Sequence, residues 1–367
     1  MNHNYNFDNI EWEITTACNA ACPQCPRNYF GSYTWKSLPI VQVDLEWTKK
    51  HFTEDFILRL KKIDFCGTYG DPIMNNHLIP IIEYVKSINP NIQIWIKTNG
   101  GIRTLDWWTK LASVLTKNDC VVFGIDGLED TSHLYRRKVP YSDSMKNAIA
   151  FINAGGNALW SYIVFKHNQH QVEEARRRSK DFGFSEIIIK KTWRFMNKKH
   201  EYQDSYPVLS DNGEIEYYLE VPTDQTYVNE NYQKINFINK KYTSIKEYLK
   251  VTDITCQHKS VRKIYISAEG IVFPCGWVHD RLYGYEAEQH TDKAKLVEMI
   301  NSTGGEKLVN LNFSTIDEII NGEFFQKIQN SWSNSERLER CAMLCGGELN
   351  GIGSQNQWNP LTKNLTN

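Results

Sequence analysis

The chain has no apolar run approaching membrane-spanning length, which removes the usual sign of a bilayer helix. It also lacks an excess of either charge: 42 Lys and Arg stand against 43 Asp and Glu, a formal net charge of −1. That balance provides no broad field for a polyanion, so neither nucleic acid nor a membrane surface is expected as a partner. The opening stretch MNHNYNFDNIEWEITT has neither the basic-then-apolar order of a secretory signal nor an Arg-rich transit pattern, and a cytoplasmic location is expected. Thiols stay reduced there, and an odd total of nine cysteines fits metal binding better than a disulfide framework. Internal repeats and low-complexity tracts are missing too. The 367 residues therefore suit one large domain with a smaller one.

What is present first is a rhythm. Short apolar runs near residues 10–16, 63–67, 92–99, 120–126, 160–166 and 186–192 read as strands. Amphipathic stretches such as HLIPIIEYVKSI, LDWWTKLASVL, SMKNAIAFINAG and HQVEEARRRSKDFG lie between them as helices. Asn168 is placed to cap the last of these, and Gly155 and Gly183 suit helix exits. Six strand-helix units predict an α/β fold with parallel strands, as an open partial barrel or a doubly wound sheet. Both gather their chemistry at the carboxyl ends of the strands. Residues 201–255 turn polar and Tyr-rich without clear periodicity and read as a linker or insertion. KIYISAEGIVFPCGW then reads as a hairpin around Ala268-Glu269-Gly270. A small α+β domain over 256–350 and a polar, frayed tail over 351–367 complete the expectation.

The stretch TTACNAACPQCPRNYFG follows the first strand and crowds Cys18, Cys22 and Cys25 together. Three thiolates at this spacing can hold three irons of a [4Fe-4S] cubane and leave the fourth iron open to a small ligand. A zinc site or three buried structural cysteines are the alternatives. CNAACPQC after a first strand resembles the signature of the radical S-adenosylmethionine (SAM) superfamily, with Gln24 where an aromatic is usual. The resemblance continues in order at later strand ends. Gly70-Asp71-Pro72 in CGTYGDP resembles the turn that receives the SAM amino group, with Asp for Glu; KTNGG, with Thr98 and Asn99, resembles the turn near the ribose and methionine parts. GIDGLEDTSHLYRR, with Asp126 and Arg136, resembles a further motif in which Gly124 replaces the usual Ser, and VFKHN is also similar. The likeness covers residues 10 to about 195 and implies a partial (β/α)6 barrel over 1–200 that binds one [4Fe-4S] cluster and SAM.

A second set, Cys256, Cys275, Cys341 and Cys345, resembles a Twitch or reduced SPASM extension and implies a second, auxiliary [4Fe-4S] cluster; a four-thiolate zinc site is the alternative. Cys66 and Cys120 lie on expected strands, where core packing is the plain reading and a hydrogen-atom donor the functional one, with Cys66 the candidate. Arg176–Arg178 reads as a solvated helix face, while Lys190, Lys191 and Arg194 end the sixth strand and are candidates to meet the SAM carboxylate or a substrate. The resemblance implies an enzyme that cleaves SAM reductively to a 5′-deoxyadenosyl radical, with an external one-electron reductant such as a flavodoxin or ferredoxin. It implies a peptide substrate, with a separate peptide-recognition protein as a further partner. A small-molecule substrate (sugar, aminocyclitol or nucleotide) and a noncatalytic iron-sulfur or zinc protein remain as alternatives.

Overall fold

The computed structural model describes residues 5–197, 201–283 and 291–349; the expected polar tail lies outside them. The six expected strands form as β1 (Asn9–Trp12), β2 (Lys62–Phe65), β3 (Gln93–Thr98), β4 (Cys120–Gly124), β5 (Ala158–Val164) and β6 (Glu186–Lys191). They pair in parallel in chain order from β1 to β6. The alternation of each strand decides its two faces. Ile10, Trp12, Ile63, Phe65, Ile94, Ile96, Val121 and Phe123 join one large buried core. The helices pack there. Helix Leu78–Ile88, for example, buries Leu78, Ile81, Ile82 and Val85, a spacing that sets one stripe against the sheet. Each such side chain, fully buried, contributes about 1.5–3 kcal/mol relative to exposure.

Six strands are not the whole sheet. A hairpin follows, β9 (Lys263–Ile266) and β10 (Val272–Phe273), and the sheet order is β10-β9-β1-β2-β3-β4-β5-β6. β9 runs parallel to β1, Asn9 opposite Lys263 and Trp12 opposite Ile266, and β10 returns antiparallel. The expected hairpin is there, but it is hydrogen-bonded onto the free edge of β1. Sequence spacing hides this because a strand's period says which face is buried, not which edge it joins.

Residues 201–255, read as a linker or insertion, are built structure. β7 (Ser205–Leu209) and β8 (Ile215–Glu220) form a separate two-stranded antiparallel sheet, followed by helices Asn231–Lys241 and Ile245–Val251. The hairpin's Val208 and Leu219, both fully buried, pack with Ala20, Cys22 and Phe165. Its exposed residues mask the pattern: only Leu219 of β8 is fully buried. Gly155 and Gly183 do leave their helices with φ of +89° and +82°. Asn168 makes no side-chain cap. Its amide instead donates to the carbonyls of Asp126 and Ile163, which ties the ends of β4 and β5 together. Among the described residues no helix is long and apolar enough to cross a membrane.

Candidate active site

The loop after β1 carries Cys18, Cys22 and Cys25 at the carboxyl edge of the parallel sheet. Cys25 N–H donates to the Cys22 carbonyl at 3.2 Å, and the Asn28 amide donates to the same carbonyl at 3.3 Å. The loop is clamped from outside by Thr16, whose hydroxyl donates to the Pro39 carbonyl and accepts from Val41 N–H. Arg27, nearly fully buried, donates to the carbonyls of Thr16 and Tyr69, so it joins the cysteine loop to the turn after β2. Burial pushes all three thiols above their ordinary range; nearby Arg136 acts against this at Cys22, which stands at about 11. Unbound, they hold their protons. A metal that takes thiolates displaces protons here on binding.

Gly70 shows why that turn needs glycine. A Cβ there would lie 1.9 Å from the Thr15 carbonyl oxygen, so the turn after β2 lies directly against the cysteine loop, and Asp71 N–H donates to Ala17 O at 2.8 Å. The Asp71 side chain is engaged within the chain itself. Its Oδ2 accepts from Asn99 N–H at 2.7 Å and its Oδ1 from Ile73 N–H at 3.2 Å, so the buried carboxylate braces two turns against each other. Pro72 starts the short turn Pro72–Met74. Thr98 accepts from Gly100 N–H, while the Asn99 amide donates to Asn19 Oδ1 and lies 3.9 Å from Cys18 Sγ. The two turns thus lie against the cysteine loop, one at Thr15 and Ala17 and the other at Cys18 and Asn19.

Asp126, fully buried, and Arg136, partly buried, form an ion pair at 2.6 Å, and Arg136 Nη1 lies 3.6 Å from Cys22 Sγ. Asp126 also accepts from Ile163 N–H. A Cβ on Gly124 would lie 2.3 Å from Arg136 Nη2, so glycine stands where serine is usual because the guanidinium occupies that space. Arg194 comes to the same loop: its Nη1 donates to the Gln24 carbonyl and the Tyr135 hydroxyl, and Gln24 donates back to the Arg194 carbonyl. Lys191 does not, since it turns outward and pairs with Glu230 at 3.3 Å. Successive strand residues face opposite ways, so Lys190 faces the lumen. Arg176, Arg177 and Arg178 pair with Glu173, Glu174, Asp181 and Glu129 on the outer face.

Cys66 lies just past β2 on the lumen side, near Glu11, Glu13, Asp64 and Lys97, and burial keeps its thiol far above the ordinary range. It holds its hydrogen, as a donor must. Cys120 belongs to a buried lumen cluster with Trp95, Val122, Leu159 and Ile188, which makes it a packing residue.

Cys256, Cys275, Cys341 and Cys345 line one cavity with Trp277, Trp332 and Arg340. The Cys256 and Cys345 thiols hydrogen-bond to one another, which leaves Cys256 the more acidic of the two. Four soft donors in one largely apolar cavity fit a four-thiolate cofactor, and three on the β1 loop fit a cluster with one open iron. Among the described residues no three His, Cys, Asp or Glu converge closely enough to hold a single metal ion; a cubane takes one thiolate per iron and asks for a wider spread.

Sequence reading missed a buried chain of groups between the two cysteine sets. Glu13 accepts from the N–H groups of Tyr69 and Gly70 through Oε1 and from the Tyr265 hydroxyl through Oε2. Tyr265 also lies 3.2 Å from His279 Nδ1, four residues beyond Cys275. It missed Tyr5 as well, buried close to Cys256, Cys275 and Cys341. Glu13 had a signal in the alternation Glu11, Glu13 against Ile10, Trp12, Ile14; Tyr5 had none.

A family model, the radical SAM superfamily, matches residues 12–178. Among solved structures, anSMEcpe with bound AdoMet is 14% identical over 87% of this chain and 78% of its own, with a TM-score of 0.50, which establishes a shared fold. SuiB of Streptococcus suis bound to S-adenosylmethionine is 12% identical over 74% of this chain, TM-score 0.46, and this chain spans 61% of its length. BtrN in complex with AdoMet and 2-DOIA is 12% identical over 96% of this chain and 97% of its own, TM-score 0.44. No curated protein sequence matches. Residues 12–178 therefore match the radical SAM superfamily model, and the chain shares its fold with a solved AdoMet-bound structure.

Proposed function

We propose that this enzyme abstracts a hydrogen atom from a peptide substrate, with one [4Fe-4S] cluster on Cys18, Cys22 and Cys25 and a second on Cys256, Cys275, Cys341 and Cys345. Bound together, the first cluster and SAM supply a 5′-deoxyadenosyl radical once an external reductant has delivered one electron. The chain's residues hold and shield. The turns of Gly70-Asp71-Pro72 and Thr98-Asn99 support SAM beside Cys18, and Arg136 and Arg194 place positive charge beside Cys22 and Cys25, where an anionic group of SAM finds a partner. Cys66 is the candidate to return a hydrogen atom from the lumen wall. The four-thiolate site has no open iron, which favours electron transfer or structure over substrate coordination.

The observation that carries the peptide reading is the β7–β8 sheet. Phe30, five residues beyond Cys25, stacks on Tyr206 at 5.0 Å, and Tyr217 donates to Leu134 O, so this sheet stands beside the mouth. Among the described residues no third strand pairs with it. A short sheet in that place can take an extended chain through main-chain hydrogen bonds. The test is anaerobic reconstitution with SAM and reductant, comparing a genomically adjacent short peptide with panels of sugars, nucleotides and aminocyclitols. The peptide should accelerate 5′-deoxyadenosine formation and change in mass or chirality. Conversion of a free small molecule alone, with peptides neither bound nor changed, would replace this reading.

A further inference from the structure

The inner face of the sheet is charged where a closed barrel is usually packed with apolar side chains. Lys97 Nζ lies 2.7 Å from Asp64 and 3.9 Å from Glu11, and Lys263 lies 3.0 Å from Glu11. Lys62 Nζ sits 3.8 Å over the Trp95 ring. Below these groups, Trp95, Cys120, Val122, Leu159 and Ile188 form an apolar floor. The lumen thus holds Lys62, Lys97, Lys190 and Lys263 beside the carboxylates Glu11, Glu13, Asp64 and Asp126, each of which is already engaged by other groups.

Lys190 is the residue left over. Among the described residues its ammonium has no hydrogen bond and no ion pair. It stands among Lys97, Asp126, Arg136 and Arg194, and burial, reinforced by Lys97, lowers its pKa to about 8. Asp126 offsets this only in part, since its carboxylate is bonded to Arg136 and Ile163 N–H and makes no ion pair with Lys190. Arg194 binds only neutral oxygens. A half-buried cation with no paired carboxylate remains open to an anionic ligand that supplies the counter-charge.

The geometry points to an anion subsite at Lys190 that receives a carboxylate of the substrate. On the peptide reading, on which this rests, the carboxylate belongs to an acidic side chain or the peptide's own terminus; a free organic acid is the other source of the same group. The subsite sits between the cysteine loop and the apolar floor, so it orients a substrate that enters from the mouth with its acidic end inward.

The experiment uses reconstituted holoenzyme with 13C-dimethylated lysines, the Lys190 signal assigned by its loss in Lys190→Gln. Two probes are titrated in saturating SAM: glutarate, and an end-blocked tripeptide with one central glutamate. A saturable shift of the Lys190 signal is expected with at least one probe. Binding of that probe should weaken at least tenfold in Lys190→Gln and persist in Lys190→Arg. The probe that binds better names the source of the carboxylate. The proposal is overturned if neither probe shifts the signal, if Lys190→Gln binds as the wild type does, or if SAM abolishes the shift and so assigns Lys190 to the SAM carboxylate. 5′-Deoxyadenosine is measured on the same samples with reductant added. Its absence breaks the radical reading, and its presence without anion binding breaks only the subsite.

Discussion

Asp71 shows what a single buried side chain can and cannot be asked to do. With its two oxygens on Asn99 and Ile73 N–H, its first duty is to lock the turns proposed to support SAM. Asp71→Ala should therefore lower the unfolding free energy of the metal-free chain by about 1–3 kcal/mol for each N–H left unsatisfied, and weaken SAM binding as a consequence. Denaturant unfolding and calorimetry measure the two; a loss of affinity with undiminished stability would return Asp71 to direct ligand contact. Glu13 makes a second case. Burial raises its carboxyl from the ordinary 4.5 to about 7, so the folded state favours its protonated form. The stabilisation is full below pH 4.5 and fades as pH rises through 7, by about 3 kcal/mol for a shift of this size. Glu13→Gln should be level over that interval, and paired unfolding curves at pH 4.5, 6 and 8 would show the difference.

Among the elements, the β9–β10 hairpin was legible as a turn and illegible as a sheet edge. Gly270 at φ +85° leaves a would-be Cβ 2.9 Å from Asn310 Oδ1, and its carbonyl accepts from Leu311 N–H. Gly270→Ala should cost about 1–2 kcal/mol from the left-handed backbone alone, with further loss from that contact, seen as a lower denaturation midpoint with an unchanged slope. An unaltered midpoint would mean that the turn relaxes freely. The strands themselves were read well because their core faces are apolar at every second position. Their other faces were misleading in kind: Glu11, Lys62, Asp64 and Lys97 alternate with apolar residues as they would on a solvated sheet, yet they face the lumen. Alternation reports two environments and cannot say that the polar one is an interior. The β7–β8 hairpin was lost for the opposite reason, since it buries too few residues to leave a period.

For the molecule as a whole, the cysteine spacing carried most of the candidate site, because a ligand set is written in one residue type. The parts it could not carry come from distant chain segments: Glu13 with Tyr265, Arg194 with Gln24, Tyr5 beside Cys256. If both thiol sets hold cubanes, anaerobic reconstitution should give about eight irons per chain, and replacing Cys18, Cys22 and Cys25 by Ala should leave about four and abolish SAM cleavage. Stoichiometric zinc at the later set, with one cluster only, would refute the two-cluster assignment. The pairing of β1 with β9 also bears on synthesis. The first strand leaves the ribosome early but meets its second neighbour only when residues 263–266 follow, and until then its edge offers unpaired main-chain groups. Such distant parallel pairing is slow to form. The nascent chain is therefore most exposed to misassociation late in translation, and growth conditions that slow elongation or supply chaperones should raise the soluble yield more than any stabilisation of the early strands.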